Sequence, residues 1–129
     1  MGDFEKIENW VNNKKFTIRY GKTDYVDFEN KEIVLVSNRD EIKQIYNLLY
    51  ECGHLFLGLK KRYKKERFER CLIYSGELDC FNKIKDEMYC WEFGYKLSVR
   101  LGLEINKDEY DDFSSKMFGI YISYLGTTH

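Results

Sequence analysis

The chain has 129 residues, of which 43% are hydrophobic and 17% aromatic, and its formal net charge at pH 7 is -1. A chain of this length has the size of one domain and can bury a core without staples, and its aromatic content excludes a disordered chain. The net charge gives no overall attraction to nucleic acid or to an anionic membrane. No apolar stretch is long enough to span a bilayer. We therefore predict a single domain, residues 1–129.

The first third of the chain predicts a helix followed by a small antiparallel sheet. Apolar residues recur at helical spacing over residues 4–11. Residues 16–20 alternate between apolar and polar side chains, which predicts a half-buried strand. Two further apolar segments, 25–28 and 33–36, flank a three-residue turn and predict a β-hairpin.

The remaining sequence predicts three long helices. The second helix is expected from about 39 to 59, after a cap at Ser37 or Asn38, and its apolar residues surround it so fully that it must be central. A third helix is expected over 83–101 and a fourth over 106–126. Their core-facing stripes are predicted to be Ile84, Met88, Trp91, Tyr95 and Ser98, and Tyr110, Phe113, Met117, Ile120 and Tyr124. The predicted fold class is α+β.

The cysteines carry information about the compartment. Cys52, Cys71, Cys80 and Cys90 show no C-x-x-C spacing, and the first residues lack the apolar run of a signal peptide. This predicts free thiols in a reducing compartment, which is the cytoplasm.

The second helix carries a near match to the zinc-protease motif H-E-x-x-H. In that motif two histidines one helical turn apart hold a zinc ion, and the Glu beside the first is the general base for the metal-bound water. Here the sequence is Tyr50-Glu51-Cys52-Gly53-His54. The base position and the second ligand position are filled, whereas Tyr occupies the first ligand position.

With the next helix, this motif resembles a known group of proteins. The chain resembles the compact gluzincin-like metallopeptidase domains of bacteriophages and mobile elements, which pair L-L-H-E-x-G-H with E-x-x-A-W-E-x-G. The matching segments are Leu48–His54 and Glu87–Gly94. The resemblance implies a zincin-like fold, with Tyr50, His54 and Glu87 at the metal-ligand positions and Glu51 at the general-base position. It also implies a viral protein acting in the host cytoplasm.

The Tyr at the first position weakens the expected metal site. A phenol has a pKa near ~10 and must ionise to become a strong ligand, whereas imidazole is ready at pH 7. We therefore predict no zinc or only weakly bound zinc. The leading hypothesis is a catalytically impaired binding protein, a phage accessory or counter-defence factor that engages a host protein or another copy of itself.

Two other functions are open on the sequence. One is an active but atypical metal-dependent peptidase using Glu51, His54 and Glu87, although Glu87 has the simpler interpretation of a surface carboxylate beside Lys83. The other is a nucleic-acid-binding factor using the basic stretch 60–70. Its candidate contact residues are Lys60, Lys61, Arg62, Tyr63, Lys64, Lys65 and Arg67. A solvated helix extension or loop is the simpler interpretation of this stretch, and no membrane partner is expected.

Overall fold

The computed structural model describes residues 1–62 and 77–127, with side chains described for 1–60 and 82–123. Four helices and a three-stranded sheet make up these residues, so the predicted α+β class is confirmed. The elements in chain order are α1 (Asp3–Asn13), β1 (Thr17–Gly21), β2 (Tyr25–Asp27), β3 (Glu32–Val36), α2 (Glu41–Arg62), α3 (Glu77–Arg100) and α4 (Lys107–Thr127).

The sheet is mixed, so the prediction of an antiparallel sheet is wrong in part. The strand order is β1-β3-β2: β2 pairs antiparallel with β3 as the hairpin predicts, but β1 pairs parallel with β3. The reason lies in β3, whose consecutive residues Ile33, Val34 and Leu35 are all buried. Such a continuous apolar strand is suited to the middle of a sheet with a neighbour on each side. Within the described residues, β2 is therefore an edge strand.

The helices agree with the sequence in number and order and differ at their ends. Asp40 caps α2, because its Oδ1 accepts a hydrogen bond of 2.9 Å from the backbone N–H of Lys43. The cap predicted at Ser37 or Asn38 is therefore wrong by two or more residues. Asn106 caps α4 as predicted, accepting 3.0 Å from the N–H of Glu109. Helix α3 begins at Glu77, six residues before the predicted start.

The core lies around α2, which is central as predicted. Leu48, Leu49, Cys52 and Leu55 of this helix are fully buried. Around them pack the sheet, α1, α3 and the first turns of α4; the other core members include Ile7, Val11, Phe16, Ile33, Leu35, Trp91, Leu97 and Tyr110. Removal of this apolar surface from water is the main force that holds the helices together. None of the described helices is long and apolar enough to cross a membrane.

Two predicted core stripes are only partly buried. Met88 is 48% exposed, Met117 37% and Ile120 63%, so these three predictions are wrong. Trp91 and Ser98 are buried as predicted, and the buried face of α3 also passes through Glu87 and Cys90 rather than through Met88. Tyr124 lies outside the described side chains. In the second half of α4, the described apolar side chains of Met117, Ile120 and Ile122 are exposed.

The crossing of α2 and α3 is the closest helix contact that bears on the site. A Cβ on Gly53 would lie 2.5 Å from the carbonyl oxygen of Cys90, and one on Gly94 would lie 2.9 Å from that of Leu49. Only glycine fits at such a backbone approach. These two glycines let α2 and α3 come together, and the contact brings residues 50–54 opposite residue 87.

Candidate functional site

Residues from both sequence motifs meet at the crossing of α2 and α3. Tyr50, Glu51 and His54 project from α2, and Glu87 projects from α3 toward them. Glu87 is only 7% exposed. Its carboxylate therefore points inward, and the interpretation of Glu87 as a surface carboxylate is wrong.

The Glu87 carboxylate joins the two other residues at the predicted metal-ligand positions. The Tyr50 hydroxyl donates a short hydrogen bond to Oε2, and Nε2 of His54 lies 3.4 Å from Oε1. Both carboxylate oxygens thus have a partner on α2. Hydrogen bonds to a charged acceptor are stronger than neutral ones, so this triad links the two helices at the base of the site.

Tyr50 is held in a defined orientation. Its ring stacks on Trp91, with centroids 4.3 Å apart and an angle of 23° between the planes, and meets His54 edge-on at 4.6 Å. Burial, and then the hydrogen bond to Glu87, raise the pKa of Tyr50 far above its ordinary value of 10.0. The phenol is therefore neutral at physiological pH and acts as a donor.

The two neighbouring titratable groups are also perturbed. Burial raises the pKa of Glu51 from 4.5 to about 7, because the carboxyl is nearly removed from water. Burial lowers the pKa of His54, but the hydrogen bond with Glu87 and the charge of Glu51 outweigh that effect, so the net change is upward. Perturbed groups of this kind concentrate at functional sites.

An open cleft of about 720 Å³ lies over this cluster. Four elements form its walls: β2 with the turn after it, α2, α3 and the second half of α4. The lining includes Asp24, Tyr25, Val26, Phe28, Asn47, Tyr50, Glu51, His54, Asp86, Glu87, Trp91, Met117, Ile120 and Tyr121. A concave site with apolar walls and a few polar groups is the usual form of a ligand-binding site.

The arrangement does not fit a zinc ion. The Tyr50 hydroxyl keeps its proton and directs it at Glu87, whereas zinc ligands are deprotonated groups, overwhelmingly Cys, His, Asp and Glu. Across the part of the chain that is described, no group of three or more His, Cys, Asp or Glu side chains could hold a metal ion. The absence of tightly bound zinc stays a prediction, which elemental analysis tests.

Other sequence predictions concern thiols and the basic stretch. Cys52 and Cys90 are free and buried, and the thiols of Cys71 and Cys80 lie outside the described side chains. Of the basic stretch, Lys60 is exposed near the end of α2, and the backbone is described as far as Arg62. The candidate contacts Tyr63, Lys64, Lys65 and Arg67 lie outside the described residues.

Sequence reasoning missed the walls of the cleft. The ion pair of Asp24 with Arg39 joins the start of β2 to the segment before α2, with Nη1 to Oδ2 at 2.7 Å, and neither residue belongs to a motif. Asp86, beside Glu87, also lines the cleft. The adjacent pair Asp86-Glu87 was the available signal for a second carboxyl at this position.

Comparison with models of known protein families finds no match, and neither curated protein sequences nor solved structures yield a significant one. The likeness to gluzincin-like domains therefore rests on the two sequence motifs alone.

Proposed function

We propose that this protein is a non-hydrolytic, zincin-like binding protein that holds an extended segment of another protein in the cleft over Tyr50, His54 and Glu87. One observation carries the proposal: the three residues at the metal-ligand positions bind one another beneath an open cleft. Tyr50 donates to one oxygen of Glu87, and His54 lies against the other.

This pairing argues against metal-assisted hydrolysis. A zinc-dependent peptidase needs a metal with an open coordination position to activate water. A protonated phenol at one ligand position cannot supply that donor set at neutral pH. The atypical-peptidase alternative is therefore the weaker one, although Glu51 still stands beside the cleft.

The form of the cleft favours an extended polypeptide as the occupant. The edge strand β2 supplies Tyr25 and Val26 to one wall. Within the described residues β2 pairs only with β3, so its other edge is available to a segment from a partner protein. Addition of a strand to a sheet edge provides backbone hydrogen bonds, and side-chain pockets then give specificity.

The opposite wall supports the same occupant. Met117 and Ile120 of α4 line the cleft although both are exposed. Burying such residues against a partner contributes about 25 cal/mol per Å² of apolar surface removed from water. A polypeptide lying between β2 and α4 has backbone contacts on one side and apolar contacts on the other.

The experiment uses a display library of random linear peptides selected on the immobilised full chain. Affinities of the selected peptides are measured for the native protein and for two variants, Ile120→Glu and Val99→Glu. Both positions are exposed helical residues, at 63% and 62%, but only Ile120 lines the cleft. We expect Ile120→Glu to weaken binding at least tenfold and Val99→Glu to leave it unchanged.

The same peptides, incubated with native protein and zinc, are then followed by mass spectrometry. We expect intact peptides after prolonged incubation. Cleavage that Glu51→Gln abolishes would establish the peptidase alternative. Selection of no peptide, or equal loss in both charge variants, would overturn the proposed binding function.

A further inference from the structure

The cleft over the triad has an acidic lining. Its carboxyl groups are Asp24, Glu51, Asp86 and Glu87, and the one basic side chain on its described walls is His54. No lysine or arginine lines the cleft in the part of the chain with described side chains. The charge of a bound side chain therefore matters for what this cleft accepts.

Two of these carboxylates have partners with defined geometry. Asp24 forms an ion pair with Arg39, and Glu87 has Tyr50 and His54. Asp86 also has neighbouring interactions. Their charge is thus partly compensated by the protein itself, and they do not depend on an external cation.

Glu51 differs from its neighbours. It is 3% exposed, yet it lines the cleft, and among the described residues no hydrogen bond or ion pair to its carboxyl is found. Inside the cleft, the described group of opposite charge that attracts it is His54. A buried carboxylate that accepts no hydrogen bond is disfavoured. The side chain combines deep burial, access to the cleft and, among the described residues, no hydrogen-bond donor, which together favour a cationic ligand.

Aromatic residues line the same cleft as Glu51. Tyr50 and Trp91 stack on each other, and Tyr25 and Tyr121 also belong to the lining. A guanidinium or ammonium group is attracted to the face of an aromatic ring, and guanidinium also stacks on it. A cleft that is lined by both a carboxyl group and aromatic rings is therefore suited to an organic cation.

We propose that Glu51 is the receptor for a basic side chain, arginine or lysine, carried by the extended segment that occupies the cleft. This inference rests on the proposed binding function and adds the chemical class of the segment. The basic group binds the Glu51 carboxylate while its aliphatic stem lies against the aromatic rings, as long cationic side chains do at partly apolar sites.

A metal cation fits the same carboxyl less well. The described side chains offer no group of three or more His, Cys, Asp or Glu that could hold a metal ion, whereas an organic cation needs a single carboxylate and a ring. The side chains of the cleft therefore favour an organic cation over a metal ion.

The test begins with the peptides selected on the native chain. We expect arginine or lysine at one fixed position in most of them. Replacing that residue with norleucine, which keeps the stem and removes the charge, should weaken binding at least tenfold. Against Glu51→Gln, the basic peptide should also bind at least tenfold more weakly, and the norleucine peptide should bind native and variant equally. Glu92→Gln, an exposed position outside the cleft, is the matched control and should bind as native.

A second experiment uses a small organic cation that has no peptide backbone. We expect n-butylguanidinium to shift the Trp91 indole resonance of the native protein, n-butanol to leave it in place, and Glu51→Gln to lose the response. Cleft-dependent peptides with no fixed basic position, or with equal affinity for native and Glu51→Gln, would overturn the inference and leave the binding function standing. Failure to select any cleft-dependent peptide would overturn both.

Discussion

The α2–α3 crossing and the second half of α4 are built in opposite ways, although both border the same cleft. At the crossing, Gly53 and Gly94 let the backbones approach closely, and Tyr50 and Glu87 join the helices by a partly buried hydrogen bond. On α4, Ile120 is mostly exposed, and Ile122 is also exposed. The crossing forms the floor of the cleft, where Tyr50, His54 and Glu87 contact one another, whereas α4 presents apolar surface that the described part of the fold leaves exposed.

This difference indicates which part of the molecule is free to bind a partner. The motif that resembles a catalytic site lies in the fixed part, and its ligand-like groups are already engaged. Exposed apolar surface beside a concave site is what a partner can cover. In the proposed binding function, the two motifs therefore mark the base of the cleft, and the residues of the walls select the ligand. Metal content, glycine packing, pH dependence and the Tyr50–Glu87 bond each distinguish a fixed floor from exposed walls.

The first prediction concerns metal binding at the α2–α3 crossing. If it fails, the groups of the floor hold a metal ion rather than one another. Native protein should contain well under one zinc per chain, and Tyr50→His should bind zinc roughly a thousandfold more tightly, since imidazole replaces a phenol that keeps its proton. Elemental analysis and competition with a chelator measure this. Tyr25→His, on the wall of the same cleft, is the control and should gain little. Stoichiometric zinc in the native protein would revive the peptidase.

The second prediction concerns the rigidity of the floor. In Gly53→Ala the new methyl group would meet the Cys90 backbone at 2.5 Å, so the helices must separate, and we expect a loss of about 3 kcal/mol in the free energy of unfolding. Gly119→Ala is the control: nothing lies within 4 Å of its added Cβ, and an alanine inside a helix should stabilise by ~0.5–1 kcal/mol. Urea unfolding measures both. Similar effects at the two glycines would contradict a close crossing.

Sequence reasoning succeeded where the signal is local and periodic. The helices and the hairpin follow from apolar spacing, and the central position of α2 follows from apolar residues all round it. The sheet pairing of β1 did not follow, because a strand of five residues carries no mark of whether its neighbour runs parallel or antiparallel. The buried run Ile33-Val34-Leu35 was the one available indication that β3 has two neighbours.

The sequence predicted the residues at the floor of the cleft but not the elements that form its walls. The spacing of Tyr50 and His54, with Glu87 on the next helix, indicated residues that the fold does bring together. No sequence pattern indicated that β2 and the end of α4 face each other across the cleft, since that depends on how far α4 extends past the core. For the same reason Met88 and Ile120 were assigned to the core: helical periodicity gives a face but not what covers it.

The third prediction concerns Glu51, at the boundary between floor and cleft. Its pKa is about 7 in the folded protein against an ordinary 4.5, so the folded state binds more protons between these values. The free energy of unfolding should therefore fall as pH rises from about 4.5 to about 7 and then level off. Between pH 5 and 8 the native protein should lose roughly 2 kcal/mol more than Glu51→Gln.

His54 acts in the same direction in a higher window. Its pKa is raised in the folded state, so its contribution is present below the ordinary value of 6.5 and is lost as pH rises through the folded pKa. Glu51→Gln keeps Glu87 beside His54 but removes the charge of Glu51, which also raises the pKa of His54. The difference between the native and variant curves therefore reports Glu51 together with its coupling to His54. Glu92→Gln, on the exposed face of α3, should follow the native curve. Parallel curves for native and Glu51→Gln would contradict a buried carboxyl with a raised pKa.

The fourth prediction measures the bond that links the two helices. Tyr50→Phe keeps the ring stacked on Trp91 but removes the hydroxyl from Glu87, and the carboxylate then has one partner fewer in a buried position. We expect a loss of about 1.5 kcal/mol in the free energy of unfolding. In Tyr25→Phe the lost hydroxyl accepts from Arg19 Nη2 at 3.3 Å on an exposed surface, so that change should stay within ~0.5 kcal/mol. A double-mutant cycle with Glu87→Gln isolates the pair. If the two single losses simply add, Tyr50 and Glu87 are independent, and the floor of the cleft is held by packing alone.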